Sequence, residues 1–265
     1  MISVIVPTLG KINENNFKYQ LYNNTETIPY EIIFSIPKKN ISKLLKFQKF
    51  KNIKIFKSKY YNQVMQRLEA IKIAKYDLIL QLDDDIFLGK SFITKIYFKS
   101  IGLKNNFCLS PIYKEFLSKQ SIYKEVSVKK NLISKFFFNV DLKKNSGSIT
   151  NFGLALDHNP NKLNRSIVEW LPGGCMLTKK FFYSDFSGSI FKNFHKSYYE
   201  DVYFSYKSNF IKYLDYRLPV FLHINENDKN NKSNISFYYF YKIFKLIKKK
   251  SYFKFYMYIF YKWLI

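Results

Sequence analysis

The stretch "YDLILQLDDDIFLG" at residues 76–89 places three adjacent aspartates, Asp83, Asp84 and Asp85, directly after a run of apolar residues. Such a run is typical of a strand that is buried on both faces, as in a parallel sheet. Three neighbouring carboxylates repel one another, so a functional interpretation has to supply positive charge at the end of this strand. The alternative is an acidic turn exposed to water, because Asp is common in turns.

Strands and helices alternate along the first third of the chain. Short apolar runs that read as strands lie at residues 2–6, 30–36, 52–58 and 76–82. Before the last of them, Val64, Leu68 and Ile71 recur at helical spacing, which leaves Gln66 and Arg67 off the apolar face. This order predicts an α/β domain with a mostly parallel, Rossmann-like sheet and helices on both faces.

Sheets of this kind bind ligands at the carboxyl ends of their strands, where the three aspartates lie. Mg²⁺ and Mn²⁺ prefer carboxylate and phosphate oxygens as ligands. The sequence therefore predicts a divalent cation at residues 83–85, arriving together with a diphosphate.

Composition restricts the class of protein. The chain has 265 residues, of which 47% are hydrophobic, enough for one sizeable domain with a smaller appendage. Its net charge of +25 favours anionic partners. Almost all of the cations are lysines, and arginine occurs only at Arg67, Arg165 and Arg217. Because specific nucleic-acid reading relies on the arginine fork, no nucleic-acid partner is expected.

The sequence also carries information on location. Cys108 and Cys175 are far apart and form neither a zinc motif nor a disulfide framework, which favours reduced, intracellular thiols. The N-terminal "MISVIVPTLG" lacks the features of a signal peptide. No apolar stretch reaches the roughly 18 residues of a spanning helix. We expect a cytoplasmic protein.

A Pro-Gly-Gly turn lies in "VEWLPGGCMLTKKFF" at residues 168–182, between a predicted strand that carries Trp170 and a predicted helix. Paired glycines, here Gly173 and Gly174, let a ligand approach the backbone closely. An ordinary tight turn is the alternative.

Two further features follow. In "HKSYYEDVYFSYK" at residues 195–207, Glu200 and Asp201 begin a predicted helix, a position that the helix dipole alone also favours for carboxylates. A strand-like run then ends at His223, which is either structural or a ligand.

The order of these motifs resembles that of family 2 glycosyltransferases with the GT-A fold. The matching pieces are "SVIVPT" at 3–8, "QRLEAIKIAKYDLILQLDDDI" at 66–86, "EWLPGGCML" at 169–177 and "YYEDVYFSYK" at 198–207. The resemblance extends from residue 1 to about residue 225.

The resemblance implies a nucleotide-diphospho-sugar donor and a Mn²⁺ or Mg²⁺ ion. The donor-binding residues that it implies are Pro7, Thr8, Arg67, Asp83, Asp84, Gly173 and Gly174. Asp85 would be the main metal ligand, Asp83 would lie near the metal, and His223 would be a further ligand. Asp201 would be the base that deprotonates the acceptor hydroxyl, and Trp170 and Glu200 would contact the acceptor.

Two departures from the family pattern bear on substrate and mode of action. Many relatives carry an acidic residue after the second strand that reads the nucleotide base, but "FSIPKKN" at residues 34–40 has none, so the base stays open. The Arg-Trp motif of processive members is missing, which implies addition of one or a few sugars per encounter. A single displacement implies inversion.

The tail differs from the rest of the chain. Residues 1–228 are expected to form the catalytic domain and residues 229–265 a basic, aromatic tail, in which lysines recur on one side of an amphipathic helical pattern over 234–265. Such a pattern indicates either peripheral contact with the inner, anionic membrane surface or packing on the domain. The acceptor would be a glycan or a lipid-linked intermediate of lipopolysaccharide or capsule synthesis.

Other functions fit less well. A nucleotidyltransferase needs an early Gly-rich phosphate loop, and "VPTLGKINENN" at residues 6–16 has one Gly and no Arg. A basic nucleic-acid-binding module predicts arginine clusters beside aromatic platforms. An inactive scaffold is disfavoured because all the required carboxylates are present.

Overall fold

The computed structural model describes residues 1–12, 28–150, 155–184, 186, 191–192 and 199–223. The strands are β1 (Ile2–Pro7), β2 (Tyr30–Pro37), β3 (Ile53–Ser58), β4 (Leu78–Leu82), β5 (Ile86–Leu88), β6 (Phe107–Glu115), β7 (Ser166–Val168), β8 (Cys175–Lys179) and β9 (Ile211–Leu222). The α-helices are α1 (Gln63–Lys72), α2 (Phe92–Ser100), α3 (Val128–Phe138) and α4 (Glu200–Lys207). Two 3-10 helices span Lys38–Phe47 and Lys180–Tyr183. The predicted boundary at residues 228 and 229, and the tail, lie outside the described residues.

The described strands form one sheet in the order β3-β2-β1-β4-β8-β6-β9-β5, with β7 paired to β9. The first four of these strands are parallel, as the alternation of strands and helices predicts. The remainder is mixed, because β8 runs antiparallel to both β4 and β6, and β9 runs parallel to β6 but antiparallel to β5. The parallel half brings the carboxyl ends of β1, β2 and β4 to one edge.

The prediction of a helix directly after the Gly-Gly turn is wrong. Residues 175–179 form strand β8, whose Cys175 pairs with Leu82 at the end of β4. The predicted strand around Trp170 is also shorter than expected, since β7 ends at Val168. β8 is a five-residue segment with three apolar residues that continues directly into the 3-10 helix Lys180–Tyr183, so its sequence does not distinguish a strand from the start of a helix.

Two apolar layers cover the two faces of the sheet. On one face, the 3-10 helix Lys38–Phe47 packs against β2 and β3, and α2 packs against β9. On the other face, α1 packs against β1 and β2, and Val202 and Phe204 of α4 belong to the same buried apolar cluster. Helices therefore cover both faces, as predicted. No helix in the described part of the chain is both long and apolar enough to cross a membrane.

Helix α1 departs from its predicted polarity. Val64 and Ile71 are buried as expected, but Gln66 and Arg67 are also buried, with 1% and 2% of their surface exposed. Asn62 caps the helix by accepting a hydrogen bond from the Met65 N–H at 3.1 Å. The helix therefore turns polar side chains toward the carboxyl edge of the sheet, where they meet the aspartates.

The 3-10 helix Lys38–Phe47 is long for its type. Side chains three residues apart lie in line on a 3-10 helix, and Ile41, Leu44 and Phe47 follow that period. Leu44 and Phe47 are buried, and the Phe47 ring lies 5.5 Å from that of Phe34 on β2. An apolar period of three thus favours this geometry over the α-helix.

We expect Phe47→Ala to lower the free energy of unfolding by roughly 3–5 kcal/mol, because it leaves a cavity against Phe34. Leu45→Ala, at an exposed position of the same helix, should change it by less than about 0.5 kcal/mol. Urea unfolding measures both. Equal effects of the two substitutions would contradict the packing described here.

Candidate active site

The three aspartates form the turn between β4 and β5. The Asp83 N–H donates to the Gly174 carbonyl at 2.7 Å, so the turn begins in contact with the Gly-Gly segment. β5 starts at Ile86 and pairs with β9. The turn therefore lies at the carboxyl edge of the sheet, as the sequence predicts.

Asp83 is held by cationic and amide donors from helix α1. Its Oδ1 accepts from Arg67 Nη2 at 2.9 Å and from Gln63 Nε2 at 2.5 Å. Burial raises the pKa of Asp83 to about 6, Arg67 opposes that rise, and the neighbouring Asp85 and Asp84 add to it. A quarter of the Asp83 side chain is still exposed, which leaves an edge for a ligand.

Asp84 faces the loop that follows β1. Its Oδ2 accepts from the Thr8 hydroxyl at 2.5 Å, and the same hydroxyl accepts from the Gly10 N–H at 2.9 Å. Burial raises the pKa of Asp84, against the effect of the Thr8 hydrogen bond. Gln66 Oε1 accepts from the Thr8 N–H at 3.2 Å, so α1 orients this loop as well.

Asp85 is exposed, and its carboxylate makes no hydrogen bond or ion pair with the residues that the structure describes. His223 follows Leu222, the residue that pairs with Ile86 across β5 and β9. Its ring is edge-on to Phe87 at 5.0 Å and lies 4.6 Å from Phe116. His223 thus lies at the end of the strand next to the aspartate turn, packed against aromatic rings.

The Gly-Gly turn is attached to β4 from two sides. Gln81 donates through Nε2 to the Gly173 carbonyl, and its Oε1 accepts from the Tyr183 hydroxyl at 2.6 Å. A Cβ added to Gly173 would lie 3.1 Å from the Asp201 Cβ. The turn therefore lies directly against the first turn of α4.

Gly174 has still less room. A Cβ on it would lie 2.8 Å from Ile86 Cδ1, 3.1 Å from Asp83 Oδ2 and 3.2 Å from the Tyr113 hydroxyl. The two glycines therefore separate Asp83 from Asp201 by the thickness of a bare backbone. This close approach explains why both positions lack a side chain.

Glu200 and Asp201 occupy the first turn of α4. Asp201 accepts from the N–H of Val202 at 2.8 Å and from that of Gly173. Burial raises the pKa of Asp201 against these hydrogen bonds. Burial, reinforced by Asp201, raises the pKa of Glu200 to about 8. Burial of two adjacent carboxyl groups therefore opposes the ionisation of both at once.

Arg67 connects the two acidic groups. It pairs with Asp83. Its charge also opposes the rise that burial causes in the pKa values of Glu200 and Asp201. It lines a cavity of about 10 Å³ together with Gln81, Glu200 and Asp201. Its Nε is buried and has no partner among the described residues, so a donor remains for a water or a substrate oxygen.

Two further residues that the sequence predicts at the site are buried. Pro7 is buried at the end of β1. Trp170 is buried, stacks on His158 at 4.5 Å and donates through Nε1 to the Leu156 carbonyl at 2.9 Å. Both contacts of Trp170 described here, the ring stack and the backbone hydrogen bond, are made inside the core.

Sequence reasoning missed four polar side chains at the site: Gln63, Gln66, Gln81 and Tyr113. Gln81 had a detectable signal, because it is the single polar residue in the apolar run "LILQL" and a buried polar group needs a partner. The glutamines of α1 had none, since only the packed helix shows which way they point.

A cavity larger than the one beside Arg67 lies elsewhere. It has a volume of about 570 Å³, lies between α1 and residues 180–186, and includes Leu68, Lys72 and Phe181 in its lining. None of the predicted site residues lines it. Size alone therefore does not mark the chemistry in this fold.

The donor set suits a hard divalent cation. Among the described residues no three His, Cys, Asp or Glu side chains are grouped tightly enough to enclose a metal by themselves. Asp85 offers a disengaged carboxylate, and Asp83 has an exposed edge. Mg²⁺ and Mn²⁺ accept one or two carboxylates and complete their shell with phosphate oxygens and water. These residues fit an ion that shares its ligands with a diphosphate.

Comparisons with known proteins support the fold. The sequence matches no protein-family model and no curated protein sequence. The structure of GalNAc-T7 with UDP, GalNAc and Mn²⁺ superposes with a TM-score of 0.57 at 11% identity, over 85% of this chain and 43% of that one. S. aureus TarS 1-349 in complex with UDP-GlcNAc gives 0.56 at 17% identity, over 93% and 65%. S. aureus TarS gives 0.52 at 14% identity, over 93% and 38%.

These neighbours are GT-A glycosyltransferases, and the chain described here has the same mixed α/β fold. The predicted fold class is confirmed. The chain spans less than two thirds of the length of each of these proteins.

Gly174→Ala should lower the free energy of unfolding by roughly 1–3 kcal/mol, because the new methyl group overlaps Ile86 and crowds Asp83. Gly89→Ala is the matched control: a Cβ there meets nothing within 4 Å, and the change should stay below about 1 kcal/mol. Urea unfolding compares the two. A tolerated Gly174→Ala would mean that the turn is looser than described.

The Glu200 carboxyl predicts a pH dependence of stability. Folded Glu200 keeps its proton up to a pKa of about 8, while the unfolded chain loses it near 4.5, so the wild type should lose stability as pH rises through that window. Glu200→Gln should flatten this slope and raise the melting temperature above pH 8, by about 2–4 °C per kcal/mol. Glu125→Gln, at an exposed carboxylate, is the control. An unchanged slope in Glu200→Gln would contradict the assignment.

Proposed function

We propose that this protein is a glycosyltransferase that moves a sugar from a nucleotide-diphospho-sugar to a glycan or lipid-linked acceptor. The observation that carries the proposal is the Gly173–Gly174 turn, which holds Asp83 on one side and Asp201 on the other across a bare backbone. This arrangement offers a place for a diphosphate at one acidic group and for an acceptor hydroxyl at the other. The neighbours solved with UDP, UDP-GlcNAc and Mn²⁺ support this reading.

On this proposal the donor lies along the carboxyl edge of the parallel strands. Pro7 and Thr8 would contact the nucleotide, and Arg67, Asp83 and Asp84 would orient its ribose and diphosphate. Asp85 and Asp83 would hold Mn²⁺ or Mg²⁺, and His223, at the end of β9, is proposed as a further ligand. When bound, the ion would neutralise the charge of the departing diphosphate.

Asp201 is the proposed base. Its carboxylate takes the proton of the acceptor hydroxyl while the acceptor oxygen forms a bond to the anomeric carbon. The bond from that carbon to the diphosphate oxygen breaks, and the electron pair leaves with the diphosphate. A pKa raised by burial suits this role, because a base works best when its pKa approaches the working pH. Protonated Glu200 can donate a hydrogen bond to the acceptor.

One displacement with one base gives inversion of the anomeric centre. We further assign the chain to family 2 on its motif order, and to non-processive addition on the missing Arg-Trp motif. Gly173 and Gly174 would form the floor below the donor sugar. Since Trp170 is packed inside the core, Glu200 is the stronger candidate for contact with the acceptor.

The place of action proposed here is the cytoplasmic face of a membrane, in synthesis of a surface polysaccharide such as lipopolysaccharide. The basic, aromatic sequence at residues 234–265 motivates this, although that segment lies outside the described residues. Loss of sedimentation with anionic vesicles after deletion of residues 234–265 is the measurement that bears on it. Full retention would count against a role of the tail in membrane binding.

Two substitutions separate the proposed roles. Asp85→Ala should abolish Mn²⁺-dependent hydrolysis or transfer of the donor, because the free carboxylate for the ion is lost. Asp201→Asn should still bind the donor but lower the rate of transfer by about 10²–10⁴-fold. Isothermal titration with nucleotide sugars and Mn²⁺ measures binding, and release of nucleoside diphosphate measures turnover.

Asp77→Asn is the control, since Asp77 is exposed and pairs with Lys179 away from the turn. It should leave both readouts unchanged. Turnover that persists in the presence of a chelator would reject the metal role, and full activity of Asp201→Asn would reject the base.

A further inference from the structure

One side of the domain carries an unusual concentration of positive charge. Nine lysines lie between residues 38 and 59, and no acidic residue occurs from Ile32 to Leu68. All nine are exposed on the 3-10 helix Lys38–Phe47, the following turn, the edge strand β3 and the residue just beyond it. We call the surface formed by the lysines of residues 38–59 other than Lys54 the basic face.

Two acidic residues, Glu31 and Glu69, border this segment in sequence, and both are engaged with other groups. Glu31 is buried and accepts from the Ser3 hydroxyl at 2.6 Å and from Lys54 Nζ at 2.7 Å. Glu69 accepts from the Ser58 hydroxyl at 2.6 Å and from the Lys59 N–H at 3.1 Å. Both carboxylates are thus used to hold backbone and buried polar groups, and only Lys54 gains a counter-ion from them.

The 3-10 geometry aligns part of this charge. Because residues three apart lie in line, the buried row of Leu44 and Phe47 leaves Lys43 and Lys46 in a row that faces outward. Leu45 lies beside this row with 48% of its surface exposed. The helix therefore presents lysines and one large apolar side chain together, as a surface that meets a lipid headgroup layer does.

Strand β3 extends the basic face along the edge of the sheet. Lys57 is exposed on the side of the sheet that the 3-10 helix covers, since it pairs with Ile36, whereas Lys54 pairs with Ile33 and lies on the other side. Lysines on an edge strand also prevent pairing with another chain, which is a sufficient reason for them on their own. That reason does not apply to the lysines of the helix and the turn, which have no free strand edge to protect.

The basic face adjoins the candidate active site. Asn40 donates through Nδ2 to the Leu9 carbonyl at 3.0 Å, and a Cβ on Gly10 would lie 2.7 Å from Lys43 Cδ. This loop also carries Thr8, which bonds Asp84. Whatever the basic face rests on is therefore next to the edge of the sheet at which the donor is proposed to bind.

We propose that the basic face docks on an anionic lipid surface and places the active-site edge beside the membrane. Charge complementarity supports a lipid partner, and the exposed Leu45 favours a headgroup layer over a nucleic acid. No arginine occurs among residues 32–66 to form the bidentate contacts that nucleic-acid recognition uses. The proposal rests on residues other than the tail and does not depend on the transfer reaction.

The size of the effect follows from general electrostatics. Each lysine near an anionic bilayer raises the partition coefficient by roughly a factor of five. Reversal of three such charges should lower binding by at least about 100-fold. Added salt should weaken it, because the screening length falls to about 8 Å at physiological ionic strength.

The test compares two triple variants of the full chain. Lys49→Glu/Lys51→Glu/Lys57→Glu reverses charge on the basic face and touches no proposed site residue. Lys104→Glu/Lys129→Glu/Lys144→Glu makes the same change in net charge on exposed lysines elsewhere. Because a glutamate is also charged, the Lys57→Glu substitution still prevents the edge strand β3 from pairing with another chain. Sedimentation with phosphatidylcholine vesicles, with and without phosphatidylglycerol, measures the partition coefficient.

We expect the first variant to lose about 100-fold in binding to vesicles that contain phosphatidylglycerol, and the second to stay within several-fold of the wild type. Donor hydrolysis without vesicles should be unchanged in both, and it reports on the proposed function separately. Equal losses in both variants would reduce the effect to net charge and overturn the proposal. Unchanged binding of the first variant to these vesicles would also overturn it. So would a loss of affinity that is seen only for single-stranded RNA, measured in parallel.

Discussion

The site depends on one buried cation among five carboxylates. Arg67 pairs with Asp83 at 2.9 Å, and its charge reaches Glu200 and Asp201 on the other side of the Gly-Gly turn. A buried ion pair that loses one partner leaves an uncompensated charge, which is strongly destabilising. Arg67 is therefore the element that allows two acidic groups from distant parts of the chain to occupy one site. It is held there by α1, whose packing on β1, β2 and β3 fixes its direction.

One arginine does not balance this much negative charge. Burial raises the pKa values of Asp83, Asp84, Glu200 and Asp201, which means that the negative charge of these carboxylates is only partly compensated in the site. A divalent ion with a diphosphate would relieve the aspartate turn, and an acceptor hydroxyl would give its proton to the second group. The same electrostatic constraint thus accounts for the proposed need for a metal and for the proposed base.

Geometry divides these two functions between two acidic groups. Gln81 and the Asp83 N–H attach the Gly-Gly turn to the end of β4, while Gly173 lies against Asp201. Because neither glycine has a side chain, the aspartate turn and the Glu200–Asp201 pair are separated only by the backbone of the Gly-Gly turn. The two acidic groups therefore stay distinct. The mixed half of the sheet is what makes this possible, since antiparallel β8 returns the chain to β4 immediately after the turn.

The sequence by itself determined the parallel strands β1 to β4 and the place of Asp83 to Asp85, because apolar periodicity and strand ends are local properties. The order of motifs in the sequence also predicted that Glu200 and Asp201 belong to the site. Only the tertiary structure decided that residues 175–179 form a strand and that Gln66 and Arg67 of α1 point inward. A short apolar run that continues directly into the 3-10 helix Lys180–Tyr183 has no local signal that separates a strand from a helix, and the direction of a polar side chain depends on what packs beside it. Contacts between residues far apart in sequence, such as that of Gly173 with Asp201, exist only once the sheet has closed around them.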